Sequence, residues 1–404
     1  MHIILVAPEF PANQRNFARA LREAGAFVTG IGERPVEYLD GGLRGWLNAY
    51  EQVPSVCDEA AMVNTVRAIQ SRGPWVNRIE ATVEAHILPV ARVRTATKIP
   101  GQSIQSALLC RDKPEMKDFL RKHGIATAAS AGVSTFSEAK EFAEQVGYPL
   151  IIKPRAGAGA DGTSRVNNHT ELAEALAKFG GGSVALEEFI EGHEGFYDTL
   201  TVNGEVSAEF ISHYYPGVLE AMRTRDVSPV IIATNRAEAD SYNELKVMGR
   251  KVITAMGLDT TATHMEWFFG PKGLKFSEIG ARPPGVGHWD VYSAGNDIDL
   301  YRQWAEGLVN GRLTAKPSRR YAAAKISLRP NADGVIKGYQ GLDAVEQMFG
   351  RYIVGSHIPS VGSRTMPIEA GYHANAWMIV RHPDYDELRK ILDAIGKMVT
   401  VHAG

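Results

Sequence analysis

Residues 263–279 read THMEWFFGPKGLKFSEI, two runs rich in aromatic and apolar residues on either side of Gly-Pro-Lys-Gly. This pattern predicts a β-hairpin. If residues 271–273 form a three-residue loop, the antiparallel register places Glu266 directly opposite Glu278, with roughly 5 Å between the two Cβ atoms. Two carboxylates that close do not both ionise without compensation, which a divalent cation would supply. Mg²⁺ is typically held by one or two carboxylates plus substrate phosphates, so the hairpin indicates a metal–nucleotide site. The alternative is an edge hairpin with two solvated glutamates.

The composition limits the class of protein. A chain of 404 residues is too long for one core, and its net charge of −2 lacks the basic excess expected of a nucleic-acid-binding protein. With 44% apolar and 22% charged residues and no apolar run long enough to cross a membrane, we expect a cytoplasmic globular protein. The two cysteines, Cys57 and Cys110, have neither metal-type spacing nor a nearby histidine, so we expect buried structural thiols.

The N-terminal segment shows the pattern of a parallel α/β sheet. An apolar strand at 2–7, a helix near 12–24 and a second strand at 27–31 give a β-α-β unit, which predicts a doubly wound fold. No G-x-G-x-x-G follows the first strand, and the absence of this dinucleotide-binding motif argues against a nicotinamide-dependent dehydrogenase.

A lysine beside a glycine-rich loop suggests a phosphate site. Lys153 ends an apolar strand and precedes RAGAGADGT, residues 155–163. Because the lysine comes before the glycines and the chain continues as a strand, this is not a Walker loop. We interpret it as a flap that closes over a triphosphate, the alternative being a mobile surface hairpin. The glycines that would let backbone N–H groups surround phosphate oxygens are Gly157, Gly159 and Gly162.

The segment ALEEFI, residues 185–190, could present a backbone edge to an adenine ring. Phe189 and Ile190 would form an apolar wall beside that ring. Glu194 lies seven residues after Glu187 and could accept hydrogen bonds from ribose hydroxyls. The alternative is an acidic turn that follows a strand.

In this order, the motifs resemble the ATP-grasp superfamily over about residues 100–310, and the chain resembles its carboxylate–amine ligases with a biotin-carboxylase-like C-terminal lid. Lys113, in an Asp-Lys-helix segment, matches the first ATP-binding lysine of the family, and Lys153 matches the second. The resemblance implies that Glu187 meets the adenine amino group, the Ile190 backbone its ring edge, and Glu194 the ribose. The ATP site implied is Lys113, Lys153, Gly157, Gly159, Gly162, Glu187, Phe189, Ile190 and Glu194.

The same resemblance implies the metal site and the domain plan. Glu266 and Glu278 would bind Mg²⁺, for which Mn²⁺ could substitute, and Arg282 would contact phosphate or the acyl group. The expected fold is α/β and α+β multidomain, an ATP-grasp fold with an N-terminal doubly wound parallel α/β domain and a C-terminal α+β lid. The expected boundaries are 1–100, 101–315 and 316–404, with a flap subdomain at about 113–185 and a metal-hairpin subdomain at about 186–315.

Two residues near the hairpin qualify this picture. Many family members carry an asparagine ligand two residues after the second glutamate, where this chain has Gly280. Water would then complete the metal coordination, or a second Mg²⁺ would be held less tightly. His264 would lie on the same strand face as Glu266, and we interpret it as a packed strand histidine rather than a site residue.

The reaction implied is activation of a carboxylate as an acylphosphate, with release of ADP, and transfer of the acyl group to an amine of an amino acid or small metabolite. One alternative is a bicarbonate- or formate-activating enzyme of the purine-biosynthetic or biotin carboxylase type, and another is a non-catalytic ATP-binding module. Small-molecule carboxylates and amines are the expected partners, and a homodimer is an expectation by analogy. Four residues lie in segments that could line an acceptor pocket or merely pack: His213, Arg223, Arg225 and His288.

Overall fold

The computed structural model describes residues 1–157 and 162–404. Gly159, one of the predicted flap glycines, lies outside the described residues. Within these two ranges, no helix is long and apolar enough to cross a membrane.

The strands of the described residues are β1 (His2–Val6), β2 (Phe27–Gly32), β3 (Ala49–Gln52), β4 (Arg78–Glu80), β5 (Ser130–Val133), β6 (Leu150–Pro154), β7 (Ser164–Val166), β8 (Val184–Glu188), β9 (His193–Val202), β10 (Glu205–Tyr215), β11 (Val230–Ala233), β12 (Thr261–Gly270), β13 (Gly273–Gly280), β14 (Ala322–Leu328), β15 (Ile336–Gln340), β16 (Ile353–His357), β17 (Ala376–His382) and β18 (Thr400–Ala403). The α-helices are α1 (Gln14–Glu23), α2 (Gly41–Trp46), α3 (Glu59–Arg72), α4 (Ile87–Thr97), α5 (Ile104–Leu109), α6 (Lys113–Lys122), α7 (Phe136–Val146), α8 (His169–Ala177), α9 (Val218–Ala221), α10 (Asn243–Ala255), α11 (His288–Asn296), α12 (Leu300–Asn310), α13 (Leu342–Phe349) and α14 (Tyr385–Met398).

The first sheet is parallel, with strand order β3-β2-β1-β4. All five residues of β1 are buried, as expected for a central strand of a parallel sheet covered on both faces. The predicted β-α-β opening is therefore confirmed.

A second, antiparallel sheet has the order β5-β8-β6-β7. Helices α7 and α8 pack on it through a shared apolar cluster. Helix α7 begins with a reciprocal capping box, in which Thr135 accepts from the Glu138 backbone while the Glu138 carboxylate accepts from Thr135. This sheet brings Lys153 on β6 beside Glu187 on β8.

The largest sheet is antiparallel, with strand order β13-β12-β9-β10-β11-β14-β17-β16. A hairpin turns at Asn203-Gly204, a dipeptide that favours this turn: Val202 pairs with Glu205, and both turn residues adopt positive φ angles. The sheet continues across the boundary predicted at residue 315, since β11 pairs with β14. The C-terminal part adds the pair β15–β18 and helix α14, so the α/β and α+β fold class is confirmed.

The cysteine prediction is half wrong. Cys110 is buried, and burial raises the pKa of its thiol above the ordinary value. Cys57 is exposed, and neither residue forms a disulfide. Cys57 precedes the Asp58 cap of α3 on a surface loop, a position whose exposure the local sequence did not reveal.

Candidate active site

The β12–β13 hairpin places Glu266 directly opposite Glu278, as the sequence predicts. The predicted three-residue loop is wrong: Gly270 pairs with Gly273, which leaves a two-residue turn. That turn alone would shift the register by one residue. A β-bulge at Ser277 inserts the missing residue, and the two carboxylates face each other again.

Beside this hairpin lies a cavity of about 860 Å³. It is lined by side chains from the parallel sheet's loops, from both antiparallel sheets and from the C-terminal segment. The structure brings together here nearly all the predicted site residues: Lys113, Lys153, Gly157, Glu187, Phe189, Ile190, Glu194, Glu266, Glu278 and Arg282. Gly162 does not line the cavity; its φ of 68° places it in a turn against Pro154.

The candidate acceptor residues do not line this cavity. Arg225 forms an ion pair with Asp333, and His288 is fully buried against Ser212. His213 forms hydrogen bonds with His193 and Tyr242 at a smaller, neighbouring pocket, which shares His193 with the large cavity. These three residues pack or pair within the fold rather than facing the large cavity, and Arg223 is exposed outside it.

Two lysines converge on Glu278 from different elements. Lys113 begins helix α6, which Asp112 caps by accepting from the Glu115 N–H. Its Nζ lies 3.5 Å from Glu278 Oε2 and donates to the Gly157 carbonyl at 2.9 Å. Lys153 Nζ lies 3.7 Å from the same Glu278 oxygen. Burial opposes the charged carboxylate, but Lys113 and Lys153 lower the pKa of Glu278 to about 2.

A third lysine was missed by the sequence reasoning. Lys117 follows Lys113 by one helical turn, and its Nζ lies 2.6 Å from Glu187 Oε2, an oxygen that Lys153 approaches at 2.9 Å. Lys117 is 1% exposed, and burial lowers its pKa to about 8 against the pull of Glu187. The i,i+4 spacing to Lys113 was the available signal. The second Glu187 oxygen, Oε1, is buried with no hydrogen-bond partner among the described residues.

Arg282 is held by a glutamate from the parallel-sheet segment. Glu84 accepts from Arg282 Nε at 2.5 Å and from Arg111 Nη1 at 2.9 Å. A Cβ atom at position 280 would lie 3.0 Å from Glu84 Oε2, tighter than ordinary contacts. Glycine at 280 therefore accommodates the Glu84 carboxylate in the space that a larger residue would take.

His264 lines the cavity, contrary to the interpretation of a merely packed histidine. Its Nδ1 lies 2.8 Å from Asp198 Oδ1, and its Nε2 lies 3.7 Å from Glu266 Oε1. Tyr292 donates to the other Asp198 oxygen at 2.7 Å. Burial disfavours the imidazolium, yet the adjacent Asp198 raises the pKa of His264 to about 9. His264 therefore adds positive charge behind the carboxylate pair.

Glu194 and the segment before it border the same cavity. Glu194 accepts from the Val218 N–H at 2.8 Å, at the start of α9. Burial and the nearby Glu266 carboxylate raise the pKa of Glu194 to about 8. Ile190 is buried, while the Phe189 ring packs under the Arg165 guanidinium at 4.4 Å.

The donor set of the cavity suits a hard cation and a polyanion. Glu266 and Glu278 supply carboxylate oxygens, the ligands that Mg²⁺ prefers. Across the described residues, no group of three or more His, Cys, Asp and Glu side chains is arranged to hold a metal by itself. Any metal at the two glutamates therefore needs further oxygens from substrate or water.

Part of the chain matches a known domain family, and most of it is similar to a known ligase. Residues 118–296 match the model of the ATP-grasp domain family. The chain is similar to the L-arginine-specific L-amino acid ligase of Bacillus subtilis, 25% identical over 323 residues that cover 76% of this chain and 75% of that one.

Solved structures share the fold over nearly the whole chain. The L-amino acid ligase from Bacillus licheniformis superposes with a TM-score of 0.78 at 17% identity, covering 100% of this chain and 98% of that one. The biotin carboxylase domain of 2-oxoglutarate carboxylase from Hydrogenobacter thermophilus, solved with MgADP and bicarbonate, gives a TM-score of 0.65 at 20% identity and covers 97% and 89%. Residues 118–296 of this chain carry an ATP-grasp domain, and the similarity to ligases over most of the chain supports an enzyme that forms carbon–nitrogen bonds.

Proposed function

We propose that the protein activates a small-molecule carboxylate with ATP as an acylphosphate, releases ADP, and transfers the acyl group to the amine of an amino acid. The observation that carries the proposal is the convergence of Lys113 and Lys153 on Glu278, within 3.5 and 3.7 Å, at the wall of the large cavity. Phosphoryl transfer depends mainly on positioning and on neutralising phosphate charge, and this arrangement supplies both.

The nucleotide would lie between the two antiparallel sheets. Lys113 and Lys153 would hold phosphate oxygens beneath the flap, which begins at Arg155 and includes Gly157. The Glu187 Oε1 atom, which is buried and has no hydrogen-bond partner in the described part of the chain, is suited to accept from the adenine amino group. Ile190 would meet the ring edge through its backbone, with Phe189 beside it.

The proposed ribose contact is Glu194. With its pKa raised to about 8, this carboxyl is largely protonated at neutral pH in the absence of ligands, so it can donate as well as accept a hydrogen bond. Ribose hydroxyls likewise donate and accept. The Val218 N–H fixes one oxygen of Glu194, and the other is available to the sugar.

Glu266 and Glu278 would hold Mg²⁺ together with phosphate oxygens and water. When bound, the cation would neutralise charge on the phosphoryl group being transferred. The residues fit this role because both supply carboxylate oxygens, the ligands that Mg²⁺ prefers, at the wall of one cavity. Without the metal, the lysines and His264 supply the compensating charge.

Arg282 would orient the substrate carboxylate. A carboxylate oxygen attacks the γ-phosphorus, an acyl–oxygen–phosphorus bond forms, and the bond to the leaving ADP breaks. The amine nitrogen then attacks the acyl carbon, phosphate leaves, and the nitrogen loses its proton. The Arg282 guanidinium, fixed by Glu84, is suited to stabilise the negative oxygens of both steps. Closure of the flap would exclude water, which otherwise hydrolyses the acylphosphate.

The similarity to an L-amino acid ligase supports amino acids as the substrate class. A screen for ADP release, using pairs of carboxylates and amines that include the standard amino acids, tests this proposal. Turnover should require both members of a pair. Phosphate release that depends on bicarbonate instead would identify the bicarbonate-activating alternative, and tight ATP binding without ADP release would identify a non-catalytic module.

Two variants link that activity to the cavity. Lys153→Ala and Glu278→Ala should abolish ADP release while leaving the fold intact. Lys251→Ala and Glu205→Ala, which change exposed residues outside the cavity, are the matched controls and should turn over normally. Substantial turnover in both cavity variants would contradict the assignment.

A further inference from the structure

The same cavity contains a lysine that the roles above do not use. Lys325 lies on β14 in the C-terminal segment and lines the cavity with only 8% of its surface exposed. Its Nζ donates to the Val286 carbonyl at 2.7 Å and sits 4.6 Å from the centre of the Trp377 ring. Among the described residues, no carboxylate forms an ion pair with it.

This absence distinguishes Lys325 from the other cavity cations. Lys113, Lys117 and Lys153 all have glutamate partners, and Arg282 has Glu84. A buried charge in a folded protein is normally paired, because leaving water is costly. Asp290 acts on Lys325 electrostatically, but no described carboxylate lies within ion-pair distance of its Nζ. This buried ammonium at a ligand-sized cavity is therefore suited to bind an anion supplied by a ligand.

The backbone around Lys325 is also unusual. Val286, whose carbonyl accepts from Lys325, has a φ of 51°, and Gly287 follows with a φ of 70°. Positive φ is a real outlier for a β-branched residue, and such strain persists mainly at functional sites. The segment that contains Val286 starts at Arg282, whose Nη1 donates to the Pro283 carbonyl at 2.8 Å. One short loop thus accepts hydrogen bonds from both cations.

We propose that Lys325 binds the carboxylate of the amine-bearing substrate, so that the acceptor is an amino acid held through its own carboxylate. This inference rests on the proposed ligase function and specifies its second substrate. A single ammonium carries one positive charge, which balances a monoanionic carboxylate but only part of the charge of a phosphate dianion. Trp377 and Tyr372, which also line the cavity, supply apolar surface for the rest of the acceptor.

The arrangement assigns each substrate its own cation. Arg282 would bind the donor carboxylate, the one activated by ATP, and Lys325 the acceptor carboxylate, which does not react. The loop from Arg282 to Val286 would then set the spacing between the two substrates. A volume near 860 Å³ lies toward the upper end of the roughly 300–1,000 Å³ typical of ligand pockets, consistent with more than one ligand.

The test compares acceptors with and without a carboxylate. With ATP and a fixed donor, ADP release is measured against each amino acid that the wild-type enzyme accepts and against its carboxamide. The wild type should favour the amino acid by at least about tenfold in kcat/KM, about 1.4 kcal/mol. Lys325→Met should raise the KM for the amino acid at least about tenfold, leave the KM for ATP within about twofold, and lose the preference over the amide.

Two further variants separate this role from a structural one. Lys325→Arg keeps the charge and should restore much of the preference for the carboxylate, whereas Lys251→Met, at an exposed lysine, should behave as wild type. An unchanged preference in Lys325→Met would overturn the proposal, as would a wild type that prefers a phosphate-bearing amine through Lys325. If the wild type releases ADP with no carboxylate–amine pair, the proposed ligase function itself fails. This result differs from the two results that overturn only the role of Lys325.

Discussion

Glu266 and Glu278 stand directly opposite each other across β12 and β13, although the two-residue turn between these strands would by itself put them out of register. The bulge at Ser277 restores their opposition. Bulges often re-aim a side chain beside a functional site. The bulge, an irregularity in an otherwise regular hairpin, therefore makes both carboxylates face the same cavity.

The first prediction concerns this carboxylate pair. Glu266→Gln and Glu278→Gln should each lower kcat for ADP release by about 100-fold, the size typical of losing one group that stabilises the transition state. Both variants should need more Mg²⁺ for half-maximal rate, because one anionic ligand is lost. Titrating Mg²⁺ at saturating ATP measures this, with Glu205→Gln as the exposed control. A Glu278→Gln enzyme with normal rate and normal Mg²⁺ dependence would contradict the metal assignment.

The second prediction concerns the buried pairs of Glu187. Its Oε2 contacts Lys117 and Lys153, so Glu187→Gln leaves two buried ammonium groups without their shared partner. Breaking a buried pair from one side costs about 3–5 kcal/mol. Lys117→Met should cost less, because Lys153 still pairs with Glu187. The double variant combines Glu187→Gln with Lys117→Met. Urea unfolding at neutral pH without nucleotide should show that its loss of unfolding free energy is smaller than the sum of the losses of the two single variants. Additive losses would mean that the two groups do not interact.

The third prediction concerns the absence of a side chain at Gly280. Gly280→Ala places a Cβ 3.0 Å from Glu84 Oε2, and overpacking of this kind costs about 1–3 kcal/mol of unfolding free energy. The same change in a Glu84→Ala background should cost much less, because the colliding carboxylate is gone. Gly338→Ala, at a strand glycine with open space around it, is the control and should have little effect. Equal costs in both backgrounds would show that Glu84 is not what position 280 accommodates.

The fourth prediction is a pH dependence from Glu194. Its pKa is raised from 4.5 to about 8 by burial and by Glu266, so the folded state binds more protons than the unfolded state between these values. Stability from this group is therefore present below about pH 4.5 and is lost as pH rises through 8. Relative to wild type, Glu194→Gln should gain stability between pH 5 and 8, by at most a few kcal/mol since Glu194 is only partly buried.

Unfolding of the ligand-free protein in urea at several pH values measures that difference. Glu205→Gln, which neutralises an exposed carboxylate, should follow the wild-type profile throughout. A constant offset between Glu194→Gln and wild type over this range would show that Glu194 titrates normally in the folded protein.

Much of the fold could be predicted because its elements have strong local signals. The β1–α1–β2 opening, the Asp112 cap of α6 and the Asn203-Gly204 hairpin all depend on residues that are close in sequence. The Ser277 bulge could not be predicted, since nothing in the hairpin's own alternation marks the extra residue. The pairing of Glu266 with Glu278 was thus correct for a reason that the sequence did not reveal.

The site residues that the sequence did not reveal were missed for a different reason. Lys117, Glu84 and Lys325 gain their positions from partners far along the chain: Glu187, Arg282 and Val286 respectively. Each looks locally like an ordinary charged residue on an α-helix, a 3₁₀ helix or a strand. Only the packing of separate sheets shows that they are buried around one cavity.

The central claim, that a carboxylate is activated as an acylphosphate, is tested most directly by following its oxygen atoms. The donor carboxylate identified in the screen is labelled with a heavy oxygen isotope and incubated with ATP, Mg²⁺ and the amine, and the released phosphate is analysed by mass spectrometry. An acylphosphate route predicts ADP as the nucleotide product and phosphate that carries a labelled oxygen from the carboxylate. Unlabelled phosphate, or AMP with pyrophosphate as products, would contradict it.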